Sequence, residues 1–149
     1  MATVKNTQNW LYLSSQLSNG SGYSLGSMEF TPEEFPKLFV RAVNVSLFRP
    51  YLWEARKLII IPSAIESLLT LLLTIYVIFK ARLSIIRIIL TNENVQLCLM
   101  FSIAFAFAVG LASYNFGALA RYKTPLLPFY FTALVIIWYE SKKVPTKSK

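Results

Sequence analysis

Leu58–Phe79 reads LIIIPSAIESLLTLLLTIYVIF, 22 residues with a single charge at Glu66. As an α-helix this stretch measures about 33 Å, enough for a hydrocarbon core of about 30 Å. Pro62 sits near its start, where a helix tolerates proline. Two further runs follow. Val95–Ser113, VQLCLMFSIAFAFAVGLAS, has 19 uncharged residues, and Thr124–Ser141, TPLLPFYFTALVIIWYES, has 18, or about 27 Å of helix. The last is marginal in length, carries Pro125 and Pro128 in its first turns, and ends at Glu140. The three runs predict an all-α integral membrane protein with three transmembrane helices at 58–79, 95–113 and 124–141. Aromatic residues gather at the run boundaries (Tyr51, Trp53, Tyr114, Tyr122, Tyr130, Trp138, Tyr139), as interfacial belts do.

The charge distribution agrees. Of 149 residues, 55% are hydrophobic and 15% charged, with a net charge of +8. The cations collect between the apolar runs, at Lys80, Arg82 and Arg87, at Arg121 and Lys123, and at Lys142, Lys143, Lys147 and Lys149. A nucleic-acid binder would spread its cations over one water-facing surface, so that class is set aside. There is no His and only one Cys, Cys98, inside an apolar run. No His-based triad or metal site can be built, no internal disulfide can form, and no metal or cofactor is expected.

Three regions are expected. Residues 1–57 form a polar segment, rich in Ser and Gly near its start, with aromatic anchors at Trp10, Tyr12 and Tyr23. Within it, Thr31-Pro32-Glu33-Glu34 is a helix start, with a hydroxyl cap, proline and acids in the first turn. Apolar residues from Phe35 to Val45 then recur every three or four positions, which predicts an amphipathic helix over about 32–46 lying on the membrane surface or on the rest of the protein, across the outer ends of the spans. The triplets Asn19-Gly-Ser and Asn44-Val-Ser are weak glycosylation signals. Residues 58–141 form the membrane region and 142–149 a basic tail. With three spans, the tail and the 80–94 connection share one side, and their cations make it cytoplasmic. The polar segment and the Tyr114–Lys123 loop then face outward. A 57-residue segment crossing the membrane without a signal sequence suggests that Met1 is not the biological start and that the chain is the C-terminal part of a longer protein.

Three constellations carry chemistry. Glu66 inside a span costs several kcal/mol unless neutral or paired, so it is either a proton carrier or polar site, or a hydrogen-bonded packing group. Asn115-Phe-Gly117-Ala-Leu-Ala-Arg121-Tyr-Lys123-Thr-Pro125 places an Arg and a Lys at the head of a proline-started helix. Together they could meet a phosphate, Arg through its fork and Lys as a point charge, or could snorkel to lipid headgroups. In Leu47-Phe-Arg49-Pro50-Tyr51-Leu-Trp53-Glu54, Arg49 and Glu54 could pair while Tyr51 and Trp53 offer a sugar-stacking surface or an interfacial aromatic belt.

FRPYLWE, IPSAIESLL and YNFGALARYKTPLLPFY together resemble the C-terminal region of bacterial multi-spanning membrane proteins of surface-polysaccharide (exopolysaccharide and O-antigen) assembly. The Arg-Tyr-basic-x-Pro stretch is also similar to the final helices of lipid-linked-sugar glycosyltransferases. The resemblance spans about residues 20–135, and full-length members have many more helices. It implies an inner-membrane, polymerase- or glycosyltransferase-like protein acting on or near undecaprenyl-pyrophosphate-linked sugars at the extracytoplasmic face. Arg49, Arg121 and Lys123 would hold the diphosphate, Trp53 and Asn115 would contact substrate, and Glu66 or Glu54 would be the carboxylates available as base. The expected partners are membrane lipid, a lipid-linked sugar and further transmembrane helices or subunits. Three helices cannot enclose an acceptor cavity, so the competing reading is a non-catalytic small subunit or scaffold of a polysaccharide or secretion complex.

Overall fold

A computed structural model describes Leu13, residues 33–55, 57–113 and 115–143. The Ser- and Gly-rich start with Trp10, Tyr12 and Tyr23, the Thr31-Pro32 cap, Tyr114, and tail residues Lys147 and Lys149 lie outside the described residues.

The described residues are helical and form no strand. Among the described residues from 33 onward, six α-helices follow in order: α1 (Phe35–Phe48), α2 (Ile61–Ala81), α3 (Ser84–Thr91), α4 (Glu93–Ala112), α5 (Phe116–Tyr122) and α6 (Leu126–Lys143). Short 3-10 turns at Leu52–Glu54 and Leu58–Ile60 join α1 to α2. Two helical segments are long and apolar enough to cross a membrane, Leu58–Ala81 and Glu93–Ala112.

Local chemistry sets most boundaries. Pro36 falls in the first turn of α1 and Pro62 in that of α2, where the missing N–H has no helical partner to lose. The Asn92 side chain caps α4 by accepting from the N–H groups of Asn94 and Val95 at 3.1 and 3.2 Å. Asn115 caps α5 by accepting from Gly117 N–H at 2.8 Å. The chain leaves α2 through Arg82, whose φ of 47° lies in the region usually kept for glycine. The 80–94 connection is therefore largely a helix: Ile85, Ile88 and Ile89 face the core at helical spacing while Arg87 stays exposed.

α4 is the central element, packed against α1 on one side and α6 on the other. A stripe of small residues, Ser102, Ala106 and Gly110, makes this possible by letting neighbouring backbones come close. Gly110 lies directly against Ala42 of α1, where a Cβ would sit 2.3 Å from the Ala42 carbonyl oxygen. One turn away, the buried Ser46 hydroxyl donates to the Ala106 carbonyl at 2.6 Å. α1 overlaps the amphipathic helix expected over 32–46, but it is a packed member of the bundle. Leu38, Ala42, Val45, Ser46 and Leu47 are buried, while Lys37, Arg41 and Asn44 face out. In the Asn44-Val-Ser triplet, Ser46 is enclosed by helix packing while Asn44 is exposed.

α2 and α6 run side by side in the same direction. Lys123 meets Ser67, and one level further Thr74 meets Tyr130 at 3.0 Å. Thr74 already donates to the Thr70 carbonyl at 2.7 Å, so the Tyr130 hydroxyl is the donor of that cross-helix bond.

Candidate functional site

The three constellations meet at one place. Ser67 lies in the second turn of α2, about 9 Å along the helix from Ile61. Its hydroxyl donates to the Arg49 carbonyl at 3.0 Å and accepts from the Lys123 ammonium at 2.7 Å. Lys123 is also ion-paired to Glu66 Oε1 at 3.3 Å. A chain of polar contacts thus runs from the end of α5, across α2, to the end of α1.

The environment of each group explains the pairing. Lys123 follows the last turn of α5, and the Lys123–Pro125 turn hands the chain to α6. This places the Lys123 side chain inside the bundle, 0% exposed, whereas Arg121, two residues earlier, points outward. A buried ammonium without a partner is expensive, and Glu66 with Ser67 supplies a counter-charge and an acceptor. Burial pushes the Lys123 ammonium below its ordinary value, and the charge of Glu66 opposes that shift. Glu66 is divided: Oε1 is buried against the ammonium, yet the side chain as a whole is 43% exposed. The group fully enclosed by the protein is therefore the lysine rather than the glutamate.

The FRPYLWE loop is tied to the same cluster. Arg49 grips Glu54 through both Nε, at 3.0 Å, and Nη2, in a fork-on-carboxylate arrangement. Glu54 also accepts from the Tyr51 N–H at 3.0 Å, closing the turn. Burial alone would raise the Glu54 carboxyl, but the Arg49 guanidinium and the Tyr51 N–H hold it below the usual carboxylate range. The other face of the guanidinium lies over the Phe116 ring at 5.4 Å, which brings in the Asn-Phe-Gly stretch. On this base Tyr51 and Trp53 stack at 4.8 Å with an interplanar angle of 18°, and Trp53 is 78% exposed.

The candidate residues thus separate. Arg49, Glu54, Glu66 and Lys123 are joined in one framework, with Phe116 and Ser67 between them. Asn115 spends its side-chain oxygen on the α5 cap. Trp53 and Arg121 present their side chains outward at the same end. Ser67, the residue that links the parts, was not singled out from sequence. Its signal was the recurrence of hydroxyls every three or four positions along α2, at Ser63, Ser67, Thr70 and Thr74, in an otherwise apolar run. Among the described residues no cluster of three or more Cys, Asp or Glu side chains could hold a metal ion.

No protein family, curated protein or solved structure matches the chain.

Proposed function

We propose that this chain is a membrane unit of bacterial surface-polysaccharide assembly that binds lipid-linked sugars at the outer end of its bundle without itself catalysing their transfer. In this reading α2, α4 and α6 are the three spans of an inner-membrane protein and the C-terminus is cytoplasmic. Lys80, Arg82, Arg87, Lys142 and Lys143 lie exposed at the end opposite the polar framework and support this orientation, against Lys37, Arg41, Lys57 and Arg121 among the exposed cations of the other end.

The observation that carries the proposal is the Tyr51–Trp53 stack, with Trp53 exposed, on a loop held by the Arg49–Glu54 fork. A rigid, outward aromatic face is a low-entropy surface for a sugar ring, and the exposed Arg121 on α5 offers a planar fork for diphosphate. Arg49 and Lys123 act as positioning residues, because each is already committed to a carboxylate. The same pairing engages Glu54 and Glu66, and this favours binding over general-base chemistry.

Polymer output in cells carrying the whole reading frame tests this, with membrane abundance measured alongside. Arg121→Lys keeps the charge and loses the fork, so output should fall, and Arg121→Ala should lower affinity for the lipid-linked sugar about tenfold. Trp53→Ala should act in the same direction. Normal output from all three at equal abundance would refute the binding role and leave headgroup anchoring. A reporter fused after Lys149 that works only outside the cytoplasm would reverse the orientation.

A further inference from the structure

We propose that the groove between α2 and α6, at the end away from the polar framework, is a binding slot for one anionic phospholipid. An acyl chain lies in the groove and the phosphate rests between Lys80 and Lys142. The proposal rests on the membrane-spanning reading above and adds a ligand site to it.

The groove has a volume of about 260 Å³ and is lined by Leu73, Tyr76, Val77, Leu134, Val135 and Trp138, with an entirely apolar surface. That is below the usual size of a small-molecule pocket and suits part of a hydrocarbon chain. Its walls continue into charge. Lys80 follows Tyr76 by four residues on α2, and Lys142 follows Trp138 by four on α6, so each cation lies one turn beyond the lining residue on the same helix face. Because α2 and α6 run in the same direction, both cations emerge at the same end of the groove. Lys142 is held there, its ammonium 3.5 Å from the centre of the Trp138 ring. Both lysines are exposed and can release water to a ligand. Lys143 is occupied elsewhere, by Glu140 at 3.0 Å and by the Tyr139 ring.

An apolar slot ending between two ammonium groups matches an amphiphile with an acyl tail and a net negative head. A zwitterionic lipid would bring its own cation toward Lys80 and Lys142, so charge complementarity selects an anionic headgroup. In the linear sequence these lysines are orientation signals only. Their register with the groove emerges only when the two helices are placed together.

The test reconstitutes the full chain into vesicles of equal parts phosphatidylglycerol and phosphatidylcholine, extracts it mildly, and counts retained lipids by native mass spectrometry. Phosphatidylglycerol should be retained preferentially. Lys80→Gln and Lys142→Gln should each reduce that preference about fivefold, the worth of one lysine near an anionic surface, and the double variant more than tenfold. Val135→Trp, which fills the groove and leaves the cations, should lose both lipids. Equal retention of the two lipids by an inserted wild-type chain, or an unchanged preference in the double variant, would overturn the slot and leave the membrane reading standing. A chain that alkaline wash strips from both vesicle types would instead overturn the membrane reading and the slot with it.

Discussion

The two ends of the bundle treat charge in opposite ways. At the end where α2 begins, a lysine is fully enclosed, and Arg49, Glu54, Glu66 and Lys123 are joined through Ser67 and the Arg49 carbonyl. At the other end the cations stay at the surface and the space between α2 and α6 is purely apolar. Enclosed charges demand specific partners and so fix geometry, whereas surface charges demand little and remain available to a ligand. The first end therefore holds a fixed shape, which the proposed function uses to display Trp53 and Arg121, and the second is the end to which the proposed lipid slot belongs.

Removing one partner of the enclosed pair should break this contrast most severely. Glu66→Met leaves the Lys123 ammonium buried with only Ser67, and should cost about 3–5 kcal/mol, read as a loss of melting temperature in detergent. Lys123→Met should cost less, because the protein encloses only Oε1 of the remaining carboxylate, whereas it encloses the whole lysine side chain. The double variant should recover much of the loss, since an apolar replacement of a buried pair is often near neutral. Additive losses in the double variant would mean that the two groups do not stabilise each other.

Backbone proximity comes next. Gly110→Ala forces a Cβ against the Ala42 carbonyl and should cost about 1–3 kcal/mol as α1 is pushed from α4. Gly117→Ala, whose Cβ would meet only the Asn115 side-chain oxygen at 3.4 Å, should be nearly neutral by comparison. Equal stabilities for the two variants would show that α1 is not seated on the small-residue stripe.

The smallest effect concerns the display loop. Arg49→Lys keeps a charge near Glu54 but loses the fork, and should cost about 1 kcal/mol. Glu54 supplies a pH test of the same contact. Its folded pKa is depressed, so its contribution is complete above the ordinary glutamate value of about 4.3 and is lost as pH falls through the lower folded value. The melting difference between wild type and Glu54→Gln should therefore be present at neutral pH and shrink in acid below about pH 4. A difference that stays constant across that range would show that the Arg49–Glu54 fork does not set the loop.

Much of the fold was legible because it is local. Runs of apolar residues, proline in first turns and the unbroken 95–113 stretch mark helices whatever their neighbours. Pairing of Arg49 with Glu54 was also legible, because only a short turn separates them. Helix α5 was less so. Its seven residues lie in a stretch expected to be a loop, and they are helical because the Asn115 cap and the burial of Phe116 and Leu119 support them. α1 was legible as a helix but not as a member of the core, since its seat depends on Ala106 and Gly110, about sixty residues away in the chain.

By itself the sequence determined the helical character, three apolar runs of which two form helices long and apolar enough to cross a membrane, and the few polar side chains that could matter inside an apolar bundle. Only the tertiary structure decided which cation is enclosed. Arg121 and Lys123 are equivalent in a linear reading, separated by one residue and flanking the same tyrosine. The turn between α5 and α6 sends Lys123 inward to Glu66 and Ser67 and leaves Arg121 outside. Burial is a property of distant neighbours, and a charge takes its role from what surrounds it rather than from its place in the chain.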